Sequence, residues 1–521
     1  MFNLITKKRG NLKDDTLAGL TVSLVLIPEA IAFSFAAGVP PQVGLWSAVF
    51  MGFITATFGG RPGMISGATG AVAVVVAKAY HYGFTLGGHD IGMQYVFAVV
   101  MTAGVIQILF GLFKLGHFIR FVPHPVMMGF VNGLAIVILM AQASAFKTAG
   151  ADHTWLPQNE LITMGILALL TMAIIQFLPK LTKAVPSTLV AIIVVGLISY
   201  FGVGSRTVSD VLFEGTGSGI LSGQLPTPSL PTSIEWTSAN IKFIFSIALT
   251  VAMVGLLESL MTLQLIDDLT ETRGKSDRES MAQGVANFLS GLFGGMGGCV
   301  TVGQSLINIK SGGRGRTSGI VAALALMVFI LVGGPVIGQI PMAALTGVMF
   351  MIVIGTFEWT TLSAFGKVPK TEIFVILAVT LITVRLHNLA LAVLVGVIIS
   401  ALVFAWKSAR HVTLHPVDQE DGSRIYNLHG LLFFGSAREF SERMSPTSDP
   451  DNVIIDFKDA KVCDYSSMEA LSALTERYNK AGKRVRLRHL SPECAKLLDD
   501  AGSLVEIEVA EDDPHYTIVR V

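Results

Sequence analysis

The chain has 521 residues, 52% of them hydrophobic and 14% charged, with a mean hydropathy of +0.63. Soluble domains carry about 25% charged residues, so this composition excludes a soluble globular protein and implies an α-helical polytopic membrane protein. The 37 basic and 37 acidic residues balance, so net charge gives no argument for a nucleic-acid partner and none is expected.

The opening MFNLITKKRGNLKDD has a basic region but no apolar stretch followed by a small-residue cleavage site, so the first span is expected to stay attached. Apolar runs able, or nearly able, to cross a hydrocarbon core of roughly 30 Å lie at about 17–37, 42–58, 64–82, 93–113, 125–146, 160–178 and 186–202. A second set covers about 239–262, 280–294, 300–311, 317–333, 342–358, 371–386 and 389–407. The reading is fourteen transmembrane segments as 7+7, repeat one at about 14–202 and repeat two at about 239–408. Residues 202–238, containing QLPTPSLPTS, read as an exposed loop because proline cannot continue a helix.

An odd number of spans per half makes the second half enter from the opposite side, the arrangement of inverted repeats. With the N-terminus inside, Lys7, Lys8, Arg9, Arg61, Lys114, Arg120, Lys180, Arg273, Arg314, Arg316 and Lys407 are cytoplasmic, while Lys147 and Arg206 are among the few outside. That bias satisfies the positive-inside rule and puts both termini in the cytoplasm of an inner (plasma) membrane protein. The cysteines, Cys299, Cys463 and Cys494, form no disulfide framework or CxxC pattern. From about His411 charges become frequent, and β-like runs (GLLFFGS, NVIIDFK, RVRLRHL, YTIVRV) surround a helical run, SMEALSALTERYNKAGK. Residues 411–521 are therefore read as a small cytoplasmic α/β domain after a membrane domain of 1–410.

Two glycine-rich breaks, GGRPGMISGATGAVA (59–73) and GGMGGCVTVGQSLINIKSGG (294–313), occupy corresponding places in the halves. Irregular backbone at membrane depth is tolerated only where it is buried in protein or lines a cavity, so matched breaks point to a binding site between repeats. Aligning the opening GG doublets gives an offset of 235 and sets Ser66 opposite Thr301. Each break leads into a helix whose first amides lack intrahelical partners and whose dipole is positive there. The expected anion donors are Ser66, Gly67, Ala68, Thr69 and Gly70 on one side, and Val300, Thr301, Val302, Gly303 and Gln304 on the other. The bland alternative is that the small residues only pack helices.

Glu29 and Glu258 lie in the first span of each half, offset by 229. A carboxylate in hydrocarbon costs several kcal/mol, so each should face a cavity and bind a cation or hold a proton, or else satisfy broken backbone in a structural role. Asn132, Asn287 and Asn308 read as interhelical hydrogen bonds, Lys78 as a snorkelling side chain, Cys299 as a packing residue and His124 as part of a boundary turn.

GHFIRFVPHPVMMGFVNGLAI (116–136), IPEAIAFSFAAGVPPQVGLW and NFLSGLFGGMGGCVTVGQSLINIKSGGRGRTSGI resemble the fifth-, first- and tenth-span motifs of the sulfate permease (SulP) family of anion transporters. The tail resembles a STAS domain. The resemblance implies a core of spans one to four and eight to eleven moving against a gate, an anion held between the third and tenth span ends, and a homodimer. It also implies a sodium site at Glu258 with Thr262 nearby. Gln304 stands where many exchangers have arginine, which favours symport; glutamate at position 29 resembles proton-coupled bacterial members. Within VCDYSSMEAL, Asp464 and Ser466 match an aspartate and a phosphorylatable serine of anti-sigma-factor antagonists, although a serine there also caps a helix.

The sequence therefore predicts a secondary transporter for a small inorganic anion, bicarbonate or sulfate, coupled to Na+ or H+, with no other cofactor and no covalent catalysis. A proton-coupled dicarboxylate or sulfate transporter and a passive anion channel are the alternatives.

Overall fold

The computed structural model describes residues 11–116, 122–148, 154–182, 186–216, 224–364, 366–386, 389–494 and 508–509. The chain forms two compact units, Met1–Val397 and Ile398–Val521.

Lipid offers no partner to an open N–H or C=O, so the first unit is built from helices. Helix α1 (Leu12–Ala37) starts at Asn11, whose side chain accepts from the Lys13 amide, and stops at Gly38 with φ +75°. Next come α2 (Pro41–Phe58), a two-residue strand β1 (Ser66–Gly67) and α3 (Gly70–Leu112). Non-helical angles at Gly87 and Gly88 divide the 43 residues of α3 into two limbs, each a span of its own. The half closes with α4 (His124–Ala141), α5 (Gln158–Leu181) and α6 (Ser187–Ile198), the last continued by a π turn over Ser199–Val203.

Residues 202–238 are not all loop: α7 (Val208–Thr216) forms there, held at its start by Asp210, which accepts from the Thr207 amide at 2.8 Å. The second half runs through α8 (Ser238–Thr270), α9 (Ser276–Leu292), strand β2 (Cys299–Val300), α10 (Val302–Lys310) and α11 (Arg316–Gly338). Then follow α12 (Met342–Thr356), a short α13 (Thr360–Ala364), α14 (Lys370–Leu386) and α15 (Leu389–Ala409). With the limbs of α3 counted separately and α7 and α13 set aside, each of the fourteen expected segments is helical. At 1.5 Å per residue α10 is only about 14 Å long, a half-helix reaching part-way through the membrane.

Helix contacts come in repeat-related pairs: α1 packs on α11 as α8 packs on α3, and α4 packs on α14 as α12 packs on α5. One pair is resolved to single residues. A Cβ added to Gly133 on α4 would lie 2.6 Å from Thr383 Cβ on α14, and one added to Gly347 on α12 would lie 2.6 Å from Thr171 Cβ on α5. Glycine permits the same close approach in both halves.

In the second unit β3 (Thr413–Asp418) runs antiparallel to β4 (Arg424–Leu432), which is followed in space by parallel β5 (Asn452–Val462), β6 (Arg484–Arg488) and β7 (Glu508–Val509), in the order β3-β4-β5-β6-β7. The chain reaches these strands through α16 (Ala437–Glu442), β5 (Asn452–Val462), α17 (Tyr465–Lys480), β6 (Arg484–Arg488) and β7 (Glu508–Val509). Leu428, Phe440, Ile455, Leu471 and Leu487 close its core. The expected final strand YTIVRV lies outside the described residues.

Candidate functional site

The two breaks meet as strands. β1 and β2 pair antiparallel, Ser66 with Val300 and Gly67 with Cys299, so the irregular backbone of each half satisfies the other. A Cβ on Gly298 would lie 1.9 Å from the Gly67 carbonyl oxygen, so only glycine admits this approach. Around the pair, the Thr301 amide donates to Ile65 O at 3.0 Å and the Ile65 amide to Ser305 Oγ at 3.0 Å.

Thr69 and Thr301 are the N-caps of α3 and α10, which makes the true repeat offset 232 rather than the 235 read from the glycine doublets. The first break is three residues longer between its doublet and its helix. Neither end carries a side-chain cap, so the first amides of both helices keep their unpaired positive ends.

These ends open on a cavity of about 540 Å³. The first half lines it with Glu29, Thr69 and Gly70; the second with Glu258, Thr301, Val302, Gly303 and Gln304. Ser66, Gly67, Ala68 and Val300 are buried behind it and do not line it. The Val300 amide donates to Ser259 Oγ at 3.1 Å, and Ser66 Oγ accepts from Thr55 at 2.8 Å. Thr262 is fully buried, and its hydroxyl donates to the Glu258 carbonyl at 2.8 Å.

Sequence reasoning missed two polar liners, His124 as a cavity residue and Glu358 altogether. Among the described residues the wall carries three carboxylates, of Glu29, Glu258 and Glu358, and no lysine or arginine. Cys299 is more than packing. Its thiol donates to Glu258 Oε2 at 3.0 Å and lies 3.1 Å from Thr69 Oγ1, so it joins the carboxylate to the N-cap of the opposite half.

One face of α9 holds both breaks. Glu279 Oε2 accepts from the Gly60 amide at 2.7 Å, and Gln283 Nε2 donates to Ser66 Oγ at 3.0 Å. Asn287 accepts from the Gly298 amide at 2.9 Å and donates to Gly298 O at 3.1 Å, while Ser290 Oγ accepts from the Gly297 amide at 3.3 Å. Positions 279, 283, 287 and 290 share a helix face, a pattern that the low hydropathy of SDRESMAQGVANFL would have revealed. Asn132 and Asn308 bridge helices as expected, to Thr361 Oγ1 at 2.9 Å and Ser318 Oγ at 2.8 Å. Lys78 Nζ donates to the Leu386 carbonyl at 3.2 Å. Among the described residues no group of three or more His, Cys, Asp or Glu is arranged to hold a metal ion.

In the soluble unit the cap of α17 is Asp464, not a serine. Its carboxylate accepts from the Ser467 amide at 2.9 Å within a reciprocal capping box, and from the Phe434 amide at 2.8 Å. Ser466 is exposed in the first turn.

Two inverted halves, half-helix ends meeting over a shared cavity, and an α/β tail define a polytopic membrane transporter of the anion-carrying kind. The sulfate permease family model matches residues 12–379 and a STAS domain model residues 416–513. The chain belongs to the sulfate permease family. It is 40% identical over 505 residues, 96% of this chain and 99% of the relative, to the "Putative sulfate transporter YbaR" of Bacillus subtilis (strain 168). The bicarbonate transporter BicA of Picosynechococcus sp. (strain ATCC 27264 / PCC 7002 / PR-6) is 32% identical over 481 residues, 86% of this chain and 83% of that one. Among solved structures, the transmembrane domain of a cyanobacterial BicA matches with a TM-score of 0.62 at 32% identity, over 75% of this chain and 97% of that domain. Murine Slc26a9 shares the fold at 18% identity, with a TM-score of 0.77 over 94% of this chain and 87% of its own.

Proposed function

We propose that this chain is an inner-membrane symporter that carries a small inorganic anion, bicarbonate or sulfate, inward with Na+ or H+. The observation that carries the reading is the meeting of two uncapped helix ends on one cavity with Glu258 on its wall. Helix N-termini bind anions through free amides and dipole. Thr69, Gly70, Thr301, Val302, Gly303 and Gln304 add only neutral donors, which lets a bound anion leave again.

An anion entering a wall of three carboxylates is repelled until positive charge arrives. A proton or sodium ion at Glu258 supplies that charge, so each ligand favours the other, and the coupling is reciprocal. Glu29 is the corresponding group of the other half. Transport then follows from rigid-body movement of the segments bearing α3 and α10 against the α4, α5, α12 and α14 side, an elevator-like motion. The core switches sides when empty or doubly loaded and poorly with one ligand. The soluble domain lies in the cytoplasm, supports a homodimer and regulates transport through the Asp464 and Ser466 turn.

The deciding experiment is accumulation in proteoliposomes. Radiolabelled anion should concentrate against its own gradient when Na+ or H+ is driven inward, and collapse of that gradient should abolish accumulation. Uptake that only equilibrates would identify a passive channel instead. Separate sodium and proton gradients distinguish the two cations.

A further inference from the structure

Resting on the coupling proposed above, we infer that Cys299 is a positioning residue that ties anion binding to the state of Glu258. While Glu258 is charged, the thiol holds the hydroxyl hydrogen of Thr69; loading of Na+ or a proton releases that hydrogen to the anion.

The pairing of β1 with β2 sets Cys299 beside Gly67, two residues before the Thr69 N-cap, and so brings a sulfur of the second half to the helix start of the first. Cys299 is fully buried, and a thiol has one hydrogen to donate. That hydrogen goes to Glu258 Oε2 at 3.0 Å, because a bond to a charged acceptor is stronger than one to a hydroxyl. The 3.1 Å contact with Thr69 Oγ1 then runs the other way, with the hydroxyl donating to sulfur. Thr69 lines the cavity, its side chain caps no amide of α3, and among the described residues its hydroxyl has no other partner. Its one donor is turned away from the cavity for as long as Glu258 is charged.

Sodium at Glu258 engages the lone pairs that the thiol used, and a proton there makes the carboxyl a donor toward sulfur. In either case the S–H swings to Thr69 Oγ1 and the Thr69 O–H swings to the anion. After loading only hydrogen bonds change, and neighbouring bonds in such a chain strengthen one another. With the repeat offset of 232 the counterpart of Cys299 is Gly67, which has no side chain. Glu29 therefore has no matching link, and the relay belongs to one half alone.

The test follows uptake by the full-length protein in proteoliposomes, with the anion KM read at zero and at saturating Na+ for radiolabelled bicarbonate and sulfate, and across pH for sulfate. In the wild type the cation should lower KM. In Cys299→Ala that effect should shrink about fivefold or more, while Cys299→Ser, whose hydroxyl donates and accepts as the thiol does, should restore most of it. An alanine variant with wild-type cation dependence overturns the inference. A serine variant as uncoupled as alanine also overturns it, since packing then explains the residue. Infrared spectra of the wild type serve where alanine does not fold: the S–H band of Cys299, assigned by its loss in whichever variant folds, should move to higher wavenumber on addition of Na+ or acid, as a bond to carboxylate gives way to one to a hydroxyl. A band that stays in place overturns the switch. Wild-type uptake indifferent to both cations removes the coupling reading itself and this inference with it.

Discussion

The Cys299 thiol donates to Glu258 Oε2 at 3.0 Å, and this bond ties the strand of the second break to the carboxylate of α8. Since the same sulfur sits 3.1 Å from Thr69 Oγ1, the state of Glu258 is one thiol removed from the first residue of the opposite half-helix. Under the proposed coupling, a cation or proton arriving at the carboxylate would change what that thiol donates to, a short physical route to the opposite helix end.

Glu258→Gln keeps an oxygen that accepts from Cys299 and removes the charge. The variant is expected to insert and fold, and to lose cation-dependent stimulation of anion uptake, a fall of about tenfold or more in kcat/KM under saturating cation. Uptake measured across a cation titration checks this. Undiminished stimulation would show that the coupling group lies elsewhere.

Thr301 caps α10 at the cavity wall, 6% exposed, with its hydroxyl directed to Ile65 O at 3.3 Å. Thr301→Trp places an indole where the anion must approach the helix end. The indole excludes the anion from those amides, and each roughly 1.4 kcal/mol of lost contact weakens binding about tenfold, so anion affinity should fall by at least about tenfold. Thr301→Ser retains the hydroxyl and should bind close to wild type. Equilibrium binding of the labelled anion to purified protein separates the two, and wild-type affinity in the tryptophan variant would move the site away from these helix ends.

Asn287 holds both the N–H and the C=O of Gly298. Asn287→Leu takes this partner from two buried backbone groups, the Gly298 N–H and C=O, and from Gln107 Oε1, at a cost of about 2–4 kcal/mol. A lower Tm in detergent is expected, together with weaker anion binding, because β2 loses its anchor. Val332→Ala, at a site 77% exposed on α11, should leave both nearly unchanged.

Much of this was legible before the structure. Apolar runs and glycine doublets located the segments and the breaks, because hydrocarbon dictates where polar backbone can break from a helix. What stayed hidden depends on register. The three-residue difference in break length decides that Thr69, not Ser66, matches Thr301, and pairing between β1 and β2 buries the amides of Ser66 and Val300. Glu358 escaped notice because it follows α12 in a turn, where no periodicity marks which way a side chain faces. Cys299 resembles any small core residue until its two neighbours are known.

Asp456 offers a test of the soluble unit alone. It is 5% exposed, and burial works against its charged form. Hydrogen bonds from Arg488 at 2.7 Å and the Lys458 amide at 2.9 Å, with His489 at 2.9 Å, outweigh that and hold its carboxyl below the ordinary range. A carboxyl with a depressed folded value stabilises the fold above the unfolded value, and that contribution is lost as pH falls through the folded one. Asp456→Asn should therefore destabilise the unit near neutrality by about 2 kcal/mol, read as faster proteolysis of β5 and β6 in the full-length protein. The gap between variant and wild type should close in acid, as the wild-type carboxyl protonates. A gap that persists undiminished at pH ~2 would show that Asp456 acts through packing and not through its charge.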